Sequence, residues 1–156
     1  MKLGETGRMI RLGVVGLGLR SESQLEVLLN MPDVEIAVVC DEYEDRVKVA
    51  QEHAMKTRGV CPDGATDYRE VNAREDIEAV VIMTSWTTHI QIAVDAMEHG
   101  KVPALEVGGA SSLDECWQLV RTSERTGIPV MMLENCCYAQ NEMALLNMVK
   151  KGIFGE

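Results

Sequence analysis

No stretch of this chain approaches the roughly 18 consecutive apolar residues that a membrane span requires. The opening segment, residues 1–9, is polar and glycine-bearing, not a basic leader followed by an apolar run. These absences point to a cytoplasmic protein with no membrane contact. A basic excess is missing too: 15 Lys and Arg face 25 Asp and Glu, for a formal charge of −10. That balance argues against nucleic acid, whose phosphates need a basic face, and solubility is the simpler reason for the acid surplus. The five cysteines, Cys40, Cys61, Cys116, Cys136 and Cys137, are odd in number and lack zinc-type spacing. We therefore expect no disulfide and no metal, as in a reducing compartment. Cys136 and Cys137 are adjacent, so on a strand one would pack in the core and the other would face a cleft. Repeats and low-complexity tracts are also lacking. What is present is 46% hydrophobic content in 156 residues, enough to bury the core of one domain.

The most informative stretch is 10–21, Ile-Arg-Leu-Gly-Val-Val-Gly-Leu-Gly-Leu-Arg-Ser, an apolar run entering Gly-x-Gly at Gly16 and Gly18. A parallel strand that ends in a glycine turn and opens a helix aims free N–H groups and a positive helix end at one point, which suits a pyrophosphate. Gly16 permits the tight turn and Gly18 lets the backbone approach the phosphates, flanked by Leu17, Leu19 and Arg20. Ser21 replaces the third glycine of the fingerprint, so either helix and strand pack slightly further apart or the serine donates a hydrogen bond. A second apolar run, 34–41, ends on Asp41, 25 positions after Gly16. An acid there accepts from both adenosine ribose hydroxyls and repels a 2′-phosphate, which favours NAD over NADP. Arg20 and Arg46 oppose that bias, since either can reach a phosphate or stack on adenine. A helix ion pair with Glu42 is the plainer reading of Arg46.

Strands alternate with helices along the chain. Strands are expected at 11–15, 34–40, 79–83, 102–106 and 130–133, with a short one inside the loop 59–66. Helices are expected at 21–30, 42–57, 88–100 and 141–151, with a brief helical turn at 68–73. Another helix runs from a Ser112 cap to Gly127, with Glu115 completing a Ser-x-x-Glu capping box. This is an α/β pattern, a Rossmann-type doubly wound parallel sheet with helices on both faces. Ligands bind such sheets at the carboxyl ends of the strands. Asp41, Thr84, Ser85, Trp86, His89, Glu106 and Asn135 fall at those ends. His89, at a helix start, is equally suited to capping, to facing solvent or to catalysis.

Residues 13–20, 38–41 (Val-Val-Cys-Asp) and 96–101 (Ala-Met-Glu-His-Gly-Lys) resemble the nucleotide-binding half of the glucose-fructose oxidoreductase and inositol dehydrogenase family. The resemblance covers nearly the whole chain and implies an NAD-binding domain over 1–138. Residues 139–156 then form a helix and the start of a connection to an antiparallel α+β substrate domain that lies outside this chain. In that family a Glu-Lys-Pro motif places its glutamate near the nicotinamide ribose and its lysine as an acid/base partner. Here the motif reads Glu106-Val107-Gly108, without the lysine.

A narrower branch is more similar: the NAD-dependent glycosidases typified by α-N-acetylgalactosaminidase, which carry Glu-Val at this place. Residues 113–117 (Leu-Asp-Glu-Cys-Trp), 131–138 (Met-Met-Leu-Glu-Asn-Cys-Cys-Tyr) and 146–156 resemble it, while Gly108 replaces a proline and Gln140 an arginine. The branch implies glycoside cleavage by oxidation at sugar carbon 3, elimination across carbons 2 and 1, addition of water and return of the hydride. A small-molecule sugar is then the substrate, with the catalytic groups mainly in the second domain. Glu106, His89 and Tyr138 are the candidates within this chain, and Trp86 joins them at the cleft lip. Leu145, Met148 and Phe154, exposed without that domain, would favour a homodimer. Two other classes remain open: a module that senses NAD(H) without chemistry, and an assembly domain in which Ser21 and Gly108 mark a decayed site.

Overall fold

The computed structural model describes residues 8–155; the opening segment 1–7 and Glu156 lie outside the described residues. Six strands, β1 (Ile10–Val15), β2 (Val34–Cys40), β3 (Asp63–Ala65), β4 (Ala79–Ile82), β5 (Val102–Glu106) and β6 (Met131–Leu133), form one sheet in the order β3-β2-β1-β4-β5-β6. Every neighbouring pair is parallel. The helices are α1 (Leu19–Asn30), α2 (Glu44–Arg58), α3 (Tyr68–Asn72), α4 (His89–Glu98), α5 (Leu113–Thr126) and α6 (Gln140–Lys150). The doubly wound expectation holds, and the switch in strand order falls between β1 and β4.

Because side chains alternate across a strand, the central strands feed two cores. Val14, Val39 and Val81 pack with Leu25 and Leu29 of α1 and Val47 and Ala54 of α2. Val15, Val38, Val80 and Ile82 pack with Val71 of α3 and Ile92, Ala93 and Ala96 of α4 on the other face. Burial on both faces is why these strands read as continuous apolar runs. Gly13 serves this packing directly: a Cβ there would lie 2.5 Å from Val71 Cγ1, so the missing side chain lets α3 settle on β1.

Helix ends follow the local chemistry. Gly59 and Gly127 adopt left-handed conformations and close α2 and α5. Ser112 caps α5 by accepting from the Glu115 N–H at 3.2 Å, while Glu115 accepts from the Ser111 N–H, one residue earlier than a capping box requires. Helix α1 starts at Leu19, two residues before the expected Ser21, because Ser21 Oγ turns back to donate to the Gly18 carbonyl at 2.6 Å.

The C-terminal part departs most from expectation. Strand β6 ends at Leu133, so Cys136 and Cys137 lie in the turn beyond it, both exposed; neither packs in the core. Cys136 has φ 62°, a left-handed conformation within that turn. None of the α6 residues is buried, and Leu145, Met148 and Phe154 are exposed. No helix among the described residues is long and apolar enough to cross a membrane.

Replacing the α5 cap tests the local account: Ser112→Ala should cost about 1 kcal/mol of stability. The expected result is a lower urea midpoint with unchanged slope, and an unmoved midpoint would show that the Ser112 hydroxyl contributes nothing.

Candidate functional site

The site is a cleft of about 750 Å³ at the carboxyl ends of β1, β2 and β4, astride the switch in strand order. Its floor is the turn between β1 and α1. Gly16 has φ 96°, and a Cβ on it would lie 2.5 Å from the Met83 carbonyl carbon, so only glycine fits. Gly18 differs: a Cβ there would meet nothing within 4 Å. It is the N-cap of α1 and offers no side-chain cap; the Ser21 N–H donates to the Gly18 carbonyl at 2.9 Å, which leaves the Leu19 and Arg20 N–H groups as the first-turn donors without an intrahelical acceptor. This open, positive helix end is a cradle of the size and sign an anion needs.

Asp41 is buried at the tip of β2. Its Oδ2 accepts from the Leu17 N–H at 2.7 Å and its Oδ1 from the Tyr43 N–H at 3.1 Å. Arg46 approaches the same carboxylate at 3.4 Å and lies 4.5 Å over the Tyr43 ring. The expected Arg46–Glu42 pair is replaced by this one, because Asp41 is the more enclosed acid and Tyr43 offers a ring face.

Arg20 turns the other way, away from Asp41. Its Nε donates to Glu106 Oε1 at 3.0 Å and its terminal nitrogen to Asn135 Oδ1 at 2.8 Å. In place of a phosphate or adenine contact, the side chain here ties the start of α1 to the ends of β5 and β6. Gln24 adds a donor to Glu106 Oε2 at 3.2 Å.

The loop after β4 carries Thr84, Ser85 and Trp86. Thr88 Oγ1 donates to Thr84 Oγ1 at 2.8 Å, which holds the loop in a tight turn. His89 is fully buried and reaches neither solvent nor the cleft surface. Its Nε2–H donates to the Thr84 carbonyl at 3.0 Å, and its Nδ1 has no partner among the described residues. It acts beneath the loop, and the readings of His89 as a solvent-facing cap or a surface catalyst do not fit this placement. Burial pushes the His89 imidazole below its ordinary value, outweighing the Thr84 carbonyl and the Glu106 charge. Trp86 is 67% exposed, its ring laid against Gly108. Gly108 has φ 90°, which explains why proline, fixed at negative φ, does not stand there.

Of the residues expected at the site, Gly16, Gly18, Leu19, Arg20, Asp41, Arg46, Thr84 and Ser85 line the cleft. Glu106 and Asn135 join it through Arg20. Leu17 sends its side chain into the core and contributes only backbone. Tyr138 is 89% exposed in the turn before α6. Unforeseen were Tyr43, Thr66, Asp67, Tyr68, Arg69 and Gln91, which complete the far wall. The available signal was Asp67, the N-cap of α3, which accepts from the Arg69 N–H at 2.9 Å and so marks a turn at the end of β3. Cys40 also borders the cleft, but burial and the neighbouring acids push its thiol up to about 12, which keeps it protonated. Among the described residues no group of three His, Cys, Asp or Glu is placed to hold a metal.

The two glycines should separate by experiment. Gly16→Ala is expected to lower stability by at least about 1–3 kcal/mol, the cost of strained φ alone, whereas Gly18→Val should cost about 1 kcal/mol or less, as a weaker N-cap. Thermal unfolding of both variants checks this, and equal losses would refute the placement of the turn. His89 predicts a pH dependence. With the folded imidazole below its ordinary value near 6.5, the unfolded chain binds the extra proton as pH falls through that point, and stability declines. Denaturant midpoints of the native chain and His89→Gln, followed from about pH 7.5 to 5.5, should converge toward acid. Parallel curves would show that His89 does not titrate between the two states.

Comparison with known proteins agrees with this architecture. Residues 10–134 match the model of an oxidoreductase family with an NAD-binding Rossmann fold. A glycosyl hydrolase family 109 protein of Porphyromonas gingivalis is 41% identical over 151 residues, covering 94% of this chain and 32% of its own length. An alpha-N-acetylgalactosaminidase of Bacteroides fragilis is 42% identical over 151 residues, covering 95% of this chain and 36% of its own. The chain thus spans about a third of the length of these curated relatives. The crystal structure of scyllo-inositol dehydrogenase from Lactobacillus casei with NAD(H) and scyllo-inositol superimposes with a TM-score of 0.86 at 14% identity. It covers 96% of this chain and 43% of the dehydrogenase. With the family pattern running from β1 through β6, the chain belongs to the Gfo/Idh/MocA oxidoreductase family, whose NAD-binding Rossmann fold it displays.

Proposed function

We propose that this chain holds NAD for an enzyme acting on a sugar or sugar derivative, and that the enzyme cleaves a glycosidic bond by transient oxidation at carbon 3. The observation that carries the cofactor part is Gly18: an open position on a helix start with no side-chain cap, next to Leu17, whose N–H holds the Asp41 carboxylate. The first turn of α1 would receive the pyrophosphate. Asp41 would receive the adenosine ribose. Leu17 and Tyr43 take two of the about four acceptor sites of the ionised carboxylate, and the ribose hydroxyls would displace the long 3.4 and 3.5 Å contacts of Arg46 from the other two. Arg46 and Tyr43 would border the adenine, and Thr84 and Ser85 the nicotinamide half. A 2′-phosphate would meet the buried Asp41 charge, so NAD is preferred over NADP.

Bound NAD⁺ supplies a hydride acceptor that turns a carbon-3 hydroxyl into a ketone, acidifies the carbon-2 proton for elimination, and is regenerated after water adds. The sugar reading is supported by the identity to the glycosidase-named relatives over this domain. Tyr138, exposed beyond β6, is this chain's candidate for touching the sugar.

Calorimetric titration tests the cofactor step: NAD⁺ and NADH should bind and NADP⁺ should bind more weakly. Gly18→Val should abolish binding of all three, and Asp41→Ala should weaken NAD and relax the discrimination against NADP⁺. Retained affinity in the first variant, or an unchanged preference in the second, contradicts the assignment. The glycoside step is tested by isotope exchange in a protein carrying this chain at its relatives' full length. Release of phenol from an aryl α-N-acetylgalactosaminide in D₂O should place deuterium at carbon 2, whereas release without exchange indicates direct hydrolysis.

A further inference from the structure

At the end of the cleft away from Asp41, two opposite charges are matched to each other. Glu106, its side chain 12% exposed, accepts from Arg20 on one oxygen and from Gln24 on the other. Asn135 holds the far nitrogen of the Arg20 guanidinium. The carboxylate is thus engaged on both oxygens and the arginine on two sides. A dinucleotide lies across the switch in strand order. With its adenosine ribose at Asp41, its nicotinamide half falls over the ends of β4 and β5, and β5 ends on Glu106.

NAD⁺ and NADH differ only at the nicotinamide ring, which is cationic when oxidised and neutral when reduced. A net charge beside the ring therefore acts on one form and not on the other. Contacts to adenosine and pyrophosphate act on both alike and cancel in the ratio of their affinities.

We propose that the Arg20–Glu106 pair sets the relative affinity for NAD⁺ and NADH by presenting a charge-neutral neighbour to the ring, with Arg20 as the positioning and compensating residue. This rests on the cofactor reading given above. A neutral pair leaves neither form strongly trapped, which suits a cofactor reduced and reoxidised in one catalytic cycle. Without Arg20, the lone Glu106 carboxylate favours NAD⁺. Without Glu106, the lone guanidinium favours NADH. Coulomb energies across several ångströms of a half-exposed site correspond to about a threefold to tenfold change for one uncompensated charge. His89, the titratable group behind this end, is kept neutral near pH 7.5 by its burial and adds no charge of its own.

The test is titration of the native chain, Arg20→Gln, Glu106→Gln and the double variant with NAD⁺, NADH and ADP-ribose at about pH 7.5. The ratio of the NAD⁺ to the NADH dissociation constant should fall about threefold to tenfold in Arg20→Gln, rise by a similar factor in Glu106→Gln, and return to the native value in the double variant. Arg20→Lys, which keeps the charge and breaks the fork geometry, should leave the ratio near native, and Arg20→Met stands in if Arg20→Gln does not fold. Charge-removing variants of Arg20 and Glu106 that shift the ratio in the same direction, or leave it unmoved, overturn the proposal, since a purely structural role has no reason to invert its sign. A folded native chain that binds neither ADP-ribose nor NAD⁺ overturns the cofactor reading, and this proposal with it. Native binding with an unmoved ratio overturns the proposal alone.

Discussion

The hydrogen bond from the Leu17 backbone N–H to the Asp41 carboxylate is the contact on which the site depends. It fixes the tip of β2 against the glycine turn, while the Gly16 N–H donates to the Cys40 carbonyl at 2.8 Å from the same strand end. The turn has no freedom on its other side, where the Met83 backbone leaves no room for a Cβ on Gly16. Once the turn is set between β2 and β4, the start and direction of α1 follow. One residue into the helix, Arg20 crosses to Glu106 and Asn135. A single short segment, 16–24, therefore grips both halves of the sheet through two acidic residues, one on each side of the switch in strand order.

What was legible in the sequence was whatever depends on neighbours along the chain. The apolar runs of β1, β2 and β4 announced a buried parallel sheet because beyond Arg11 and Glu35 their side chains enter a core on either face. Gly16, Gly18 and Asp41 were recognisable because the offset between them is a property of one βαβ unit. Partner choice was not legible. Arg46 selected Asp41 over Glu42, and Arg20 selected two strand ends more than 80 residues away, because relative burial decides which acid a guanidinium pairs with. His89 carries a polar side chain in a polar loop sequence, yet the collapse of that loop onto the sheet buries it and leaves Nδ1 unpartnered. The two adjacent cysteines were misread because the extended chain stops at Leu133.

Burial is distributed unevenly along the chain, and the site sits where it is densest. Buried hydrophobic residues run from Leu12 to Leu105, and beyond Glu106 Thr122 alone is buried among the described residues. Helix α5 still packs on α4 through Leu119, but Leu113, Trp117, Met131 and Met132 are exposed. Mechanical firmness at the switch in strand order comes from β1, β2 and β4. The end of β6 has no such backing, and Asn135 there is tied to the rest through Arg20. The arginine thus serves the C-terminal part structurally as well as balancing Glu106.

The division of chemistry on the proposed reading follows from which groups are free. Glu106 has both oxygens occupied. Val107 stands where the resembled family carries its lysine. The His89 imidazole is buried and the Cys40 thiol is held protonated. Asp41 is tied to the backbone on the opposite side of the cleft. A proton relay needs a group that reaches the reacting atoms and changes charge near the working pH. None of these does both. On this reading the residues named here hold and align a dinucleotide and neutralise the charge beside it, and of Glu106, His89 and Tyr138 it is Tyr138 that is left exposed. On the proposed reading, proton transfer to a sugar would fall to groups other than these, and binding of the cofactor and turnover of the substrate would be separable.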